Sequence, residues 1–215
     1  MQEVQIKAVI PREKGRLLIR FDTGMEVTLY RSEIRGLGRE EQKLLLTEEA
    51  YITQELYQKI LTKIVGVRVK KRAMFLLEQM DRTENQLYDK LKQNGYPQVC
   101  IEEAIAYVKQ YHYIDDLRYA RQYVRYHQDK KSRQRLRMDL VKKGVGREYI
   151  EQALEEEFVS DERGKIKELL EKRHYDYDNA DWKEQQKTYQ FLMRRGYKSG
   201  DILAVLREGD AFAEE

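Results

Sequence analysis

Residues 87–105 read LYDKLKQNGYPQVCIEEAI, residues 136–154 read LRMDLVKKGVGREYIEQAL, and residues 188–206 read TYQFLMRRGYKSGDILAVL. One pattern underlies all three. A glycine (Gly95, Gly144, Gly196) is followed by apolar residues at +6, +9 and +10: Ile101, Ala104, Ile105; Ile150, Ala153, Leu154; and Ile202, Val205, Leu206. Leu91, Leu140 and Leu192 stand four residues before their glycines, and Leu87 and Leu136 eight before, with Thr188 in the third copy. Spacings of three and four predict a helix with one apolar stripe on either side of each glycine. Lys92, Lys142 with Lys143, and Arg194 with Arg195 occupy the last turns before the glycines. A cation suits the negative end of a helix, and glycine suits the left-handed residue that ends it.

The glycines are 49 and 52 residues apart, which leaves room in each unit for one more helix. The unit is therefore helix, helix, glycine turn, helix. Thr83 and Gln86 have capping-box spacing, so a helix is predicted from there to Asn94. Three such units predict a mainly α protein of tandem three-helix repeats in an elongated, curved array, whose concave side is the default place for an extended partner.

The first 35 residues differ. Residues 4–10 alternate apolar and polar, residues 17–21 and 25–30 repeat the pattern, and Asp22-Thr23-Gly24 supplies a turn. This predicts a small antiparallel β unit of two or three strands. From about Glu40 onward no strand is expected. The divisions that follow are 1–36 for the β unit, 37–112 for a linker and the first repeat, 113–158 for the second repeat and 159–215 for the third.

Charged residues make up 37% of the chain, against roughly 25% in an ordinary globular protein, and apolar residues 41%. Abundant surface relative to core suits a thin stack of helices better than a sphere. Disorder is excluded by the helical recurrence of apolar residues and by the 16 tyrosines. The single cysteine, Cys100, permits neither an internal disulfide nor a multi-cysteine zinc site. With no signal peptide and only short apolar runs, a cytoplasmic, non-membrane monomer is expected.

The formal net charge is only +3, but it is unevenly spread. Residues 115–147 carry 11 basic and 4 acidic side chains, whereas residues 148–215 carry 11 and 18. Such a split predicts a polyanion-facing surface on the basic second repeat, with the acidic third repeat turned elsewhere. At 100° per residue, Arg118, Arg121 and Arg125 fall in one sector beside a stripe of Leu117, Ala120, Tyr123 and Val124. Arg135 and Lys142 point away from Leu136 and Leu140, the intervening loop adds Lys130 and Lys131, and Arg133 follows them. With Lys143, these are the candidate contacts to DNA or to an acidic protein partner.

Asp115-Asp116-Leu117-Arg118-Tyr119-Ala120, Tyr123-Val124-Arg125, residues 133–144, Ile150-Glu151-Gln152-Ala153-Leu154 and Arg195-Gly196-Tyr197 together resemble the RecX family, over roughly residues 70 to 208. The resemblance implies a modulator of the bacterial recombinase RecA, acting in DNA repair, recombination and the SOS response. Such a protein lodges in the groove of the RecA–DNA filament and usually inhibits its ATPase and strand exchange. The β unit lies outside the shared repeats, and residues 175–181 lengthen the third. A helix-turn-helix-like regulator of duplex DNA is the alternative, because short helices joined by glycine turns suit that class too.

No catalytic residue, metal or cofactor is expected. Asp115 and Asp116 directly precede an apolar helix, where carboxylates favour the positive end without any ion, so His112 beside them is no metal site. His127 and His174 lack acidic neighbours at ligand spacing, and Cys100 reads as a small hydrophobe. No phosphate-binding or dinucleotide glycine motif occurs among the 12 glycines. Tyr107, Tyr111, Tyr113, Tyr119, Tyr123 and Tyr126 could stack on the bases of a single strand, but several lie on or beside the apolar stripes and core packing is the preferred reading; Tyr126, which faces away from the core, is the foremost stacking candidate.

Overall fold

A computed structural model describes residues 3–177 and 179–208. It divides into two units, Met1–Asp115 and Asp116–Glu215. Unit one opens with β1 (Glu3–Arg12), β2 (Arg16–Phe21) and β3 (Glu26–Tyr30), followed by α1 (Arg31–Arg35) and α2 (Arg39–Leu45). A fourth strand, β4 (Tyr51–Thr53), then pairs with the start of β1, giving an antiparallel sheet of order β3-β2-β1-β4. The expectation of two or three strands, with none after about residue 40, is corrected by β4. Three residues are too few to show alternation. What makes them a strand is pairing with β1, Val4 opposite Ile52, across a long stretch of chain.

Period-two patterning decides which face of the sheet is buried. Val4, Ile6, Leu17, Ile19, Phe21, Val27, Leu29 and Ile52 all lie on the covered face. They share one core with α3 (Gln54–Lys59), α4 (Val67–Gln79), α5 (Glu84–Gln93) and α6 (Gln98–Gln110). A π-helical stretch, Ile60–Gly66, joins α3 to α4. There a Cβ on Gly66 would lie 2.9 Å from the Leu61 carbonyl. The Cys100 thiol donates to that same carbonyl at 3.4 Å. Burial pushes this thiol's pKa up to about 11, which leaves it an inert packing group. Arg68 at the start of α4 ties helix to sheet: its guanidinium donates to the Glu33 carboxylate at 2.8 Å and to the Thr28 carbonyl at 2.6 Å, and lies 4.8 Å from the Tyr30 ring centre.

Unit two holds α7 (Asp116–His127), α8 (Arg133–Lys142) and α9 (Arg147–Glu157), then α10 (Glu162–Glu171), α11 (Trp182–Arg194) and α12 (Ser199–Glu208). Each triplet has its own core. Ala120, Val124, Leu136, Leu140, Ile150 and Leu154 fill one, and Ile166, Leu170, Leu192, Ile202 and Val205 the other. Thr188, which breaks the apolar pattern, is still buried, so the departure is in residue type and not in position.

The glycine turns form as the pattern requires. Gly95, Gly144 and Gly196 have φ of 77°, 80° and 84°, in the left-handed region. The amides of Tyr96, Val145 and Tyr197 reach back to Leu91, Leu140 and Leu192. The Thr83–Gln86 capping box is also present, with both bonds at 3.2 Å.

Gly196 carries a further constraint. A Cβ there would lie 2.9 Å from Ser132 Oγ and 3.1 Å from the Arg135 amide nitrogen, whereas one on Gly95 would meet nothing within 4 Å. Gly95→Ala should therefore cost only the backbone strain, about 1 kcal/mol, in the hydrogen-exchange protection of α5 and α6. Gly196→Ala should cost about 2 kcal/mol or more in α8, α11 and α12, because the two helical triplets must also separate. Equal losses in the two variants would contradict this geometry.

Candidate functional site

The second unit contains the cations expected to face a polyanion, and it arranges them differently from the linear sequence. Helix α9 packs back against α7. It brings glutamates that lie outside the basic stretch 115–147. Arg121 Nε donates to Glu156 at 2.5 Å, and Arg125 is bidentate to Glu157 through Nε and Nη2. Arg137 on α8 is bidentate to Glu151, with both bonds at 2.7 Å. Two of the three α7 arginines thus face carboxylates of their own repeat. Arg118 is exposed on the same helix.

Lys131 and Arg135 share one carboxylate. Lys131 Nζ lies 2.9 Å from Asp139 Oδ2 and 2.8 Å from the Tyr123 hydroxyl, while Arg135 Nε lies 3.3 Å from Asp139 Oδ1. Burial alone would raise the Asp139 pKa, but the Lys131 hydrogen bond and the charges of Lys131 and Arg135 hold it below the ordinary value. Lys143 covers the ring of Tyr123 at 5.2 Å. Arg133 lies over Phe158 at 5.9 Å, and its amide donates to Glu162 at 2.9 Å. Lys130 and Lys142 are exposed.

Residues of the third repeat complete a cationic cleft. Lys130, Lys131, Ser132 and Arg135 form one wall and Phe191, Arg194, Arg195 and Tyr197 the other, around a volume of about 470 Å³. Its walls are positioned by polar ties. Ser132 Oγ, the N-cap of α8, accepts from the Arg135 amide at 3.1 Å and donates to the Arg195 carbonyl at 2.8 Å. Lys165 of α10 is buried, and its ammonium donates to the carbonyls of Gln128 and Lys131, the latter at 3.1 Å. Burial holds the Lys165 pKa below that of an ordinary lysine. The guanidiniums of Arg195 and Arg173 lie 4.5 and 4.2 Å from the Phe191 ring centre. Among the described residues, no carboxylate is ion-paired with Lys130, Arg194 or Arg195. Arg194 and Arg195 are visible in the sequence, but there they read only as cations at a helix end. Their meeting with Lys130 depends on the docking of the Gly196 turn on α8, which no local pattern encodes.

Tyr126 is 81% exposed, on the side of α7 away from the core, while Tyr119 and Tyr123 pack against it. Among the described residues, no group of three or more His, Cys, Asp and Glu could hold a metal ion, and no helix is long and apolar enough to cross a membrane.

These features define a tandem three-helix-repeat protein with a cation-lined cleft between its second and third repeats. The patterns described as the first, second and third three-helix domains of RecX match residues 70–107, 115–154 and 161–206. Regulatory protein RecX of Caldanaerobacter subterraneus subsp. tengcongensis is 32% identical over 204 residues, covering 94% of this chain and 98% of its own. That of Vibrio parahaemolyticus is 37% identical over 138 residues, covering 64% and 88%. A crystal structure of regulatory protein RecX aligns with TM-score 0.62 at 24% identity, covering 94% of this chain and 98% of its own. That of RecX from Lactobacillus salivarius aligns with TM-score 0.55 at 24% identity, covering 68% and 97%; both show a shared fold. The chain belongs to the RecX family of regulatory proteins, a non-enzymatic family.

The Glu151–Arg137 pair gives a pH prediction. The Arg137 hydrogen bond is the main cause that lowers the Glu151 pKa below the ordinary 4.5. A carboxylate depressed on folding stabilises the fold above its unfolded pKa, and that contribution is lost as pH falls through the folded value. Arg137→Leu should therefore lower Tm at neutral pH and make the fall in Tm between about pH 5 and about pH 3 shallower. An equally steep fall in the variant would show that the pair contributes nothing.

Proposed function

We propose that this chain binds the RecA–DNA filament and inhibits its ATPase and strand exchange. The family's general role is RecA modulation, which makes RecA the implied partner. The observation that carries the finer reading is the concentration of uncompensated positive charge in unit two, at Lys130, Arg194 and Arg195, with Lys142 on the outer face of α8. A filament presents both DNA phosphates and acidic protein surface, and separate cations on separate helices suit an extended, repeating anion better than a small ligand. The basic middle repeat, residues 113–158, supplies one part of this surface and the 159–215 repeat the other.

Arg121 and Arg125 act in this account as internal ion pairs that set the position of α9, and Arg118 as an outer contact. Reversing all three α7 arginines to glutamate would put like charges against Glu156 and Glu157, so loss of binding in that variant would not identify a contact.

Added to RecA filaments formed on single-stranded DNA at low salt, the chain should suppress DNA-dependent ATP hydrolysis at near-stoichiometric or lower amounts. Unchanged ATPase, strand exchange and filament length would overturn the proposal. A preference of about a thousandfold for one duplex sequence over competitor would favour a helix-turn-helix-like regulator instead.

A further inference from the structure

We infer that the cleft between the second and third repeats is a nucleic-acid phosphate site, in which Lys130, Arg194 and Arg195 engage backbone phosphates. This deepens the proposed function, resting on it only for the source of the nucleic acid.

The first argument is selective pairing. Unit two is rich in carboxylates, and its structure uses them: Glu156 holds Arg121, Glu157 holds Arg125, Glu151 holds Arg137, and Asp201 holds Arg163 at 3.1 Å. At the cleft this pairing thins: Lys131 and Arg135 share Asp139, and among the described residues Lys130, Arg194 and Arg195 have no carboxylate ion pair. Like charges gathered at one place repel, so the arrangement costs stability unless an outside anion offsets it.

The second argument is preorganisation. Arg195 lies against the Phe191 ring instead of a carboxylate. Stacking holds a planar guanidinium while its N–H edges stay available for a bidentate contact, the geometry that suits phosphate. The backbone beneath it is also fixed, because the Arg195 carbonyl accepts from the buried Ser132 hydroxyl and Gly196 sits against the start of α8. Lys130 enters from the opposite wall, on the loop whose Gln128 and Lys131 carbonyls Lys165 holds.

The third argument concerns the class of anion. The walls belong to two different repeats, so a ligand engaging both must present more than one anionic group along its length. A nucleic-acid strand does so at each nucleotide, about 3.4 Å apart along the axis in a duplex strand. An acidic peptide would have to place carboxylates individually, and its planar groups gain most from paired arginines in a fixed fork, of which this cleft offers only one that is stacked.

The test uses the full chain with fluorescently labelled oligonucleotide, single-stranded or duplex, and no recombinase. Anisotropy titrations should give a log affinity that falls linearly with log salt, with a slope of about −2 to −3 for three neutralised phosphates. Lys130→Glu with Arg194→Glu should weaken binding by about tenfold or more at about 100 mM salt and make the slope shallower by about 2. Lys130→Gln with Arg194→Gln should lie between. All four side-chain changes are at exposed positions without ion pairs, so the melting curve should not move. Arg195→Lys, which keeps charge and loses the planar fork, should weaken binding several-fold. Unchanged affinity in the double reversal, no binding by the native chain at about 50 mM salt, or tighter binding to poly-glutamate through the same residues would each overturn the inference. Failure of the native chain to inhibit recombinase ATPase would overturn the filament reading alone, because the oligonucleotide assay contains no recombinase.

Discussion

The arrangement of unit two depends on one close approach: the Gly196 turn of the third repeat lying against the first turn of α8 in the second. The Ser132 hydroxyl makes this contact specific, since it caps its own helix through the Arg135 amide and donates to the Arg195 carbonyl. A glycine is required twice over, for its positive φ and for the space that a Cβ would need. The apolar clusters of the two triplets are separate, so polar ties at Ser132, Lys165 and Glu162 decide how the triplets meet. Buried polar contacts of this kind fix geometry more than they add stability, because each must first be taken out of water. The cationic cleft is their direct consequence.

Charge in this protein is organised by tertiary pairing, and counting along the chain misses that organisation. The 115–147 stretch is strongly basic in isolation, yet the helix that follows returns with glutamates and binds three of its arginines. The overall acidity of the third repeat likewise conceals Arg194 and Arg195, at the end of α11 where the helix dipole already favours cations. The same two side chains thus complement the helix end locally and form one wall of the cleft in three dimensions.

Much of the fold is legible in the sequence because it rests on local rules. The glycine turns, the apolar stripes and the Thr83–Gln86 cap each involve residues within about one or two helical turns of each other, so patterning suffices. The misses are all non-local. β4 is a strand only because β1 offers it an edge. The π-helical stretch is invisible in periodicity, and its consequences, the Gly66 approach and the Cys100–Leu61 bond, appear only in three dimensions. Of the expected site residues, Lys130, Lys131 and Arg135 do line the cleft, while Arg121 and Arg125 are drawn into pairs. Phe191, Arg194 and Arg195 line the cleft too, and the sequence alone does not show this because the residues across the cleft lie about sixty positions away in the chain.

The central claim is that polyanion contact in unit two occurs at the junction cleft and not along the α7 helix. Side-chain NMR of the arginine Nε–H groups tests it most directly, by following each resonance as oligonucleotide is added to the full chain. The account predicts large, saturable shifts at Arg194 and Arg195, with Arg121, Arg125 and Arg137 nearly still in their carboxylate pairs. Shifts concentrated on Arg121 and Arg125, with Arg194 and Arg195 unmoved, would contradict it.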